Sequence, residues 1–217
     1  MICKLCGSFD TIEYCKNKFR EFYRCNNCEL IFVPEKYYID KENETVRYDL
    51  HDNTLANTGY VAYLEKCAVI VSKEIPPGSA ILDFGSGKMA VLTELLRAHG
   101  YECHAYDPLY KRYLPVHSKK YDTIILCEVI EHLRNLDEEF QLIKTVAAKN
   151  AALVVRTQLY PSDGTFLKWW YMQDMTHINF FSLRSIEKTA AIFNCTVKST
   201  PEKDIFVLTP VKTPSLL

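Results

Sequence analysis

Four of the nine cysteines in this chain are paired by spacing, as Cys3-x2-Cys6 and Cys25-x2-Cys28. A two-residue gap lets both thiolates of one tight turn reach the same ion, and two such turns make a four-sulfur site of the zinc-ribbon kind. Gly7 follows Cys6, where a knuckle turn wants a residue tolerant of positive φ. The segment from Phe9 to Tyr23, between the two pairs, is long enough to run out and back as a β-hairpin. Disulfides and redox-active cysteine pairs are the rival readings. Cys15, Cys67, Cys103, Cys127 and Cys195 are scattered singly, and no thioredoxin-like context surrounds the pairs, which counts against both. Four thiolates leave no open position, so the Zn2+ expected at Cys3, Cys6, Cys25 and Cys28 is structural.

A second constellation is the glycine turn Asp83-Phe84-Gly85-Ser86-Gly87-Lys88-Met89-Ala90. Gly85-x-Gly87-x-x-Ala90 satisfies a dinucleotide pattern, and Asp107 falls at the interval beyond Gly87 where a ribose-binding acid belongs. Asp83 argues for a different ligand. A carboxylate there would oppose a pyrophosphate, whereas a cofactor with a cationic amino group wants it. Further on, histidines gather near the expected strand ends: His132, His177, and more remotely His51 and His117. Asp174-x-x-His177 could be a carboxylate orienting an imidazole base, or simply a turn that caps the next helix. His132 follows Glu128 by one helical turn's spacing, so the two can share a helical face.

These residues need elements to hold them. Residues 55–75 carry apolar side chains at helical spacing and stop at Pro76-Pro77-Gly78. Strands are expected at 79–84, 102–106, 121–127 and 152–156, with helices over 90–99, 137–148 and 185–193. Ser182 is the expected N-cap of the last helix, and strands at 196–198 and 205–208 close the chain as an antiparallel hairpin. Strands alternating with helices predict an α/β fold with a doubly wound, mostly parallel sheet, whose ligand sits beyond the strands' carboxyl ends. The domain expectation is a zinc ribbon over 1–38, a connector and lid helix over 39–78, and the cofactor-binding domain over 79–217.

The sequence from Ile81 to Gly87 resembles motif I of the class I S-adenosylmethionine (SAM) methyltransferases. Tyr121 to Leu133, with its Glu128-Val129-Ile130-Glu131-His132 run, resembles the block at the end of that family's fourth strand. Trp169 to Ser182 is similar to a block of a bacterial subgroup that carries an N-terminal zinc ribbon. The resemblance implies a Rossmann-like sheet and SAM as co-substrate. It implies that Asp83, Gly85 and Gly87 hold the cofactor's amino-acid end, Asp107 its ribose, and that Glu128 stands beside it. His177 and His132 are then the candidate catalytic residues. Two departures stand out. Met89 occupies the place of a third glycine, where a side chain would crowd the turn. Only the short stretch Pro108 to Lys120 separates Asp107 from Tyr121, too little for a βα unit, so the sheet is expected to have six strands rather than seven.

Charge narrows the substrate. Formal net charge is −1, and residues 1–40 carry equal numbers of acidic and basic side chains. A neutral ribbon is a poor phosphate binder, so the expected acceptor is a small molecule (metabolite, sugar, quinone or lipid-like) and nucleic acid is disfavoured. An RNA or protein methyltransferase using the ribbon for recognition, and a degenerate non-catalytic SAM-binding protein, are the alternatives. Lys111-Arg112 and Lys119-Lys120 form a short basic stretch, either solvated or facing an anionic substrate. No apolar run of membrane-spanning length is present and Met1-Ile2-Cys3-Lys4 does not read as a signal peptide, so the expected compartment is cytoplasmic. Trp169, Trp170 and Tyr171 either wall a substrate pocket or seal the body against the ribbon.

Overall fold

The computed structural model describes residues 1–49, 53–110 and 118–211. In chain order its elements are β1 (Thr11–Lys16), β2 (Glu21–Cys25), β3 (Ile31–Phe32), α1 (Lys41–Asp49), α2 (Thr58–Glu74), β4 (Ala80–Phe84) and α3 (Val91–Ala98). Then follow β5 (Glu102–Tyr106), β6 (Tyr121–Cys127), α4 (Leu136–Val146), β7 (Ala147–Arg156), β8 (Asn179–Phe180), α5 (Leu183–Ile192), β9 (Cys195–Ser199) and β10 (Ile205–Pro210).

The large sheet has the order β5-β4-β6-β7-β10-β9. β4 runs parallel to β5 and β6, β6 parallel to β7, and the β9–β10 hairpin closes the sheet antiparallel. This is the expected six-strand, Rossmann-like α/β sheet. The chain leaves β4 toward β5, then crosses back to the other side of β4 with β6, so the switch point lies at the carboxyl ends of β4 and β6. Strand alternation sorts the core. Ala80, Leu82 and Phe84 face α4 and α5, while Ile81 faces α2 and α3.

The ribbon is bound into the body by main-chain pairing. β1, β2 and β3 form an antiparallel meander, and β8, from the far end of the chain, adds to β3 through Ile31–Phe180 and Phe32–Asn179. Cys3, Leu5, Cys25, Cys28, Leu30 and Phe32 join the same buried cluster as Leu82 and Ile130.

Helix ends follow local rules. Asn57 and Asn135 cap α2 and α4 by accepting from Tyr60 N and Glu138 N. Ser182 caps α5, with Ser185 returning the bond as a capping box. Three expectations are corrected. α4 ends at Val146 rather than 148, and β7 starts early, because Ala147 already pairs with Tyr121. The register then slips, with Asn150 at φ 66°, before regular pairing resumes at Ala152. Residues 41–49, expected as polar connector, form helix α1. Met89 does not crowd the glycine turn: it is 54% exposed and points outward, and Ala90 takes the left-handed conformation at φ 48°.

Candidate functional site

β4 and β5 end side by side and open into the glycine turn. Gly85 N and Ser86 N donate to the Tyr106 carbonyl at 2.7 and 3.1 Å, which bends the chain across the top of β5. Gly85 has φ 80°, and a Cβ there would lie 2.5 Å from Val129 Cγ2. Glycine is required at this position on both counts. At Gly87 nothing crowds a Cβ, and only φ 68° favours glycine. Gly85→Ala is therefore expected to lower stability by about 3 kcal/mol, from left-handed backbone strain plus overpacking against Val129. Gly87→Ala is expected to lose about 1 kcal/mol. Paired denaturant melts check the ranking.

Asp107, 7% exposed, sits at the rim. Its Oδ2 accepts from Gly87 N at 3.0 Å and its Oδ1 from Leu109 N at 2.8 Å and Tyr110 N at 3.3 Å. One carboxylate thus ties the glycine turn to the β5 end, and it keeps lone pairs for a ligand hydroxyl. Asp83 is buried beneath the turn, with Oδ2 accepting from Thr93 Oγ1 at 2.7 Å. The tail of α1 reaches the same turn: Asp49 Oδ1 accepts from Lys88 Nζ at 3.2 Å and Tyr110 Oη at 3.3 Å.

Across the switch point, β6 ends at Cys127 and Glu128 turns at φ 54°. The Glu128 carboxylate accepts from Tyr63 Oη at 2.8 Å and from Tyr171 Oη at 3.2 Å. Burial pushes the Glu128 carboxyl up, against the opposing bond from Tyr63 and the nearby charge of Arg156. Arg156 lies over the Tyr63 ring and donates to Asp204 Oδ2 at 2.9 Å.

Glu131 and His132 follow on the same turn, and His177 arrives on the loop before β8. The three ligand-type atoms of Glu131, His132 and His177 lie within 4.8 Å of one another, and the two imidazole rings pack edge to face at 4.6 Å. Burial lowers the His177 pKa to about 4, so the ring is neutral at physiological pH. The sequence pairing of Asp174 with His177 is not a side-chain dyad. Burial would raise the Asp174 carboxyl, but a bond from Arg47 and two from Thr176 hold it well below the usual carboxylate range. His177 Nδ1 instead bonds the Tyr171 carbonyl at 2.7 Å.

Arg20 was invisible as a site residue in the sequence, where it counted only as one surface charge among many. It is 2% exposed and reaches from the ribbon hairpin into the loop that carries His177. Its guanidinium donates to the carbonyls of Met172, Asp174 (2.9 Å), Met175 (3.5 Å) and His177 (2.8 Å). The aromatic cluster has the sealing role: Tyr171, Phe166 and Phe180 pack with Phe22, Ile31 and Val33 of the ribbon, with Trp169 against them, while Trp170 is exposed. In the basic stretch, Lys119 pairs with Glu102, and Lys120 donates to the Thr145 carbonyl. His51, His117, Lys111 and Arg112 lie outside the described residues.

At the ribbon tip the Sγ atoms of Cys3 and Cys28 are 3.5 Å apart and those of Cys6 and Cys25 are 3.6 Å apart. All four Sγ atoms fall within 4.8 Å of one another.

A family model described as "Methyltransferase domain" matches residues 59–200. Among curated proteins, none matches the sequence significantly. Solved structures are similar in fold. One is a methyltransferase in calicheamicin biosynthesis, in its SAH-bound form, at 16% identity and TM-score 0.51 over 79% of this chain and 59% of that one. The chain therefore spans about three fifths of that protein's length. A second is magnesium protoporphyrin IX methyltransferase from Synechocystis PCC 6803 with bound SAH, at 14% identity and TM-score 0.52, covering 81% and 97%. A third is 1,6-didemethyltoxoflavin-N1-methyltransferase from Burkholderia thailandensis, with bound 1,6-didemethyltoxoflavin and S-adenosylhomocysteine, at 12% identity and TM-score 0.53, covering 86% and 98%. No helix among the described residues is long and apolar enough to cross a membrane.

Proposed function

Because the chain belongs to the methyltransferase-domain family, we propose that it moves the methyl group of SAM onto a small-molecule acceptor. The observation that carries this reading is the glycine turn at the carboxyl end of β4, tied by Asp107 and lying at the switch point of the sheet. When bound, the cofactor supplies an electrophilic methyl on a sulfonium. Asp83 places negative charge beneath the turn, toward the cofactor's ammonium. Gly85 and Gly87 let the main chain close around its amino-acid end, and Asp107 accepts from ribose hydroxyls. Glu128 braces the wall through Tyr63 and Tyr171. His132 and His177 stand on the acceptor side, where a neutral imidazole can take the proton released on transfer.

The equal count of acidic and basic residues in the ribbon and the burial of its aromatic face favour a small acceptor over a nucleic acid. The acceptors in the names of the structural neighbours, a porphyrin and a toxoflavin precursor, are of this size. The four ribbon thiolates hold one zinc ion. Four sulfurs about 2.3 Å from a tetrahedral zinc lie roughly 3.8 Å apart, close to the 3.5 and 3.6 Å of the two closest pairs.

Calorimetry with SAM and with its demethylated product tests the reading. Saturable binding of both is expected, and a chain that binds neither at about 1 mM ligand, a free energy of about −4 kcal/mol, is not this enzyme. Asp107→Ala is expected to weaken SAM binding 10- to 100-fold, about 1.4–2.8 kcal/mol, through loss of the ribose contact and of the tie to Gly87. The same titration reads that effect.

A further inference from the structure

Glu131 is fully buried, and neither carboxylate oxygen has a hydrogen-bond partner among the described residues. A buried carboxylate in that position is strongly disfavoured unless something positive meets it. The Tyr171 hydroxyl gives its hydrogen to Glu128. The nearest cationic candidate is His132 Nε2, 3.8 Å from Glu131 Oε1, too long for a hydrogen bond.

The two histidines are set up in the same sense. His132 Nδ1 lies 3.2 Å from the Thr176 carbonyl, and His177 Nδ1 lies 2.7 Å from the Tyr171 carbonyl. A carbonyl only accepts, so each Nδ1 carries the hydrogen and each Nε2 carries the lone pair. An imidazole whose far nitrogen is anchored on a backbone carbonyl is the usual arrangement of a metal-binding histidine. Two imidazoles and one unpartnered carboxylate meet in one place, with one ligand-type atom of each within 4.8 Å of the others. Bound to one ion at about 2.1 Å, such atoms lie roughly 3–3.5 Å apart, a contraction that side-chain rotation supplies.

We propose that Glu131, His132 and His177 form a second metal site, distinct from the ribbon, for a divalent first-row ion between manganese and zinc. Two imidazoles and one carboxylate suit that range, and they leave coordination positions open. Val129, on the same turn, packs where a Cβ of Gly85 would go, so this site borders the glycine turn. His132 is half-buried and lines a small cavity with Tyr38, Arg134 and Thr176. The role of the ion, unlike its binding, rests on the methyltransferase reading: it takes an oxygen of a hydroxyl-bearing acceptor. The O–H bond breaks and its proton leaves to water. The oxygen pair forms the bond to the methyl carbon, and the carbon–sulfur pair returns to sulfur, turning sulfonium into thioether. With the ion bound, the histidine lone pairs hold the metal and no longer take the acceptor's proton, and the ion's charge lowers the acceptor's pKa.

The test uses the full chain with its ribbon zinc in place, shown by four thiols protected from a thiol reagent. Mn2+ binding is followed by loss of the free ion's magnetic-resonance signal, and Co2+ binding by its visible bands. Cobalt taken up by the ribbon instead announces itself by sulfur charge transfer. One ion per chain beyond the ribbon is expected for at least one of the two metals, weakened at least about 100-fold in His132→Gln and in Glu131→Gln. Thermal melts and product-cofactor binding establish that each variant is folded, and the variant that folds is read. The proposal is overturned if neither ion binds at about 1 mM, or if binding survives unchanged in a folded variant. Metal binding without cofactor binding would keep this site and remove the methyltransferase reading. Cofactor binding without metal would do the reverse.

Discussion

Cys28→Ser is expected to empty the ribbon of metal and to abolish methyl transfer, while changing the affinity for the product cofactor less than tenfold. The reasoning starts at the thiol. Cys28 is 1% exposed and belongs to the main buried cluster together with Cys3, Cys25, Leu30 and Phe32. Structural zinc supplies on the order of 10 kcal/mol of apparent folding free energy in small metal domains. That is comparable with the whole stability of an ordinary domain. A ribbon of two hairpin strands and one two-residue strand cannot replace it by packing. Its collapse removes β3 as the partner of β8 and withdraws Arg20 from the His177 loop. The cofactor side is built elsewhere. Gly85, Gly87 and Asp107 are held by Tyr106 and by one another, above a face packed by α2 and α3. Metal analysis, a thermal melt and calorimetry on one preparation separate the outcomes. A metal-free variant with full turnover would show that the ribbon is not coupled to the reaction.

What the sequence revealed and what it hid divide along a physical line. Strands β4, β5 and β6 were legible to within a residue because short apolar runs and flanking turn residues are local signals, β4 being buried throughout and only β5 alternating. The six-strand sheet followed from chain length alone, since the stretch from Pro108 to Lys120 is too short to make a helix and a strand. The four thiols were legible as one cluster because each pair's two-residue gap is a local signal. By contrast, α1 has a polar sequence with no apolar stripe. It is tied down by Arg47 to Asp174 at 2.8 Å and by Glu44 to Arg134 at 2.7 Å, partners far away along the chain. The strand pair β3–β8 is two residues long on each side, too short to carry any period. Among the candidate site residues, Asp83, Asp107, His132 and His177 lie on the strand ends and turns around the crevice. Glu128 lies between two tyrosines that both donate to its carboxylate. Glu131 lay in plain view beside His132, and the signal that would have singled it out is that a buried turn has no other use for a carboxylate. Arg20 offered no signal, because its partners are carbonyls and carbonyls have no sequence.

Arg20→Met is expected to lower stability by about 3–5 kcal/mol, because each buried carbonyl left without a donor costs about 1–3 kcal/mol. In a body of this size that lowers the melting temperature by about 10 °C. Methionine fills the space against Phe22 and Phe180, over which the guanidinium now lies at 5.1 and 5.8 Å. It offers no hydrogen, and four carbonyls of residues 172–177 lose their donor in a dry setting. Burial already lowers the Arg20 pKa to about 10, so the native guanidinium stays charged throughout the range in which the protein would be assayed. Arg20→Lys keeps the charge but not the planar fork, and one ammonium cannot serve carbonyls spread from Met172 to His177. The lysine variant should therefore recover less than half of the lost stability. The kinetic signature separates positioning from simple weakening. The loop carries His177, so kcat should fall by at least tenfold at a temperature where the variant is fully folded, while product-cofactor affinity holds. If kcat and cofactor affinity fell together, the effect would be global. If neither moved, the Arg20 contacts would not position the acceptor side at all.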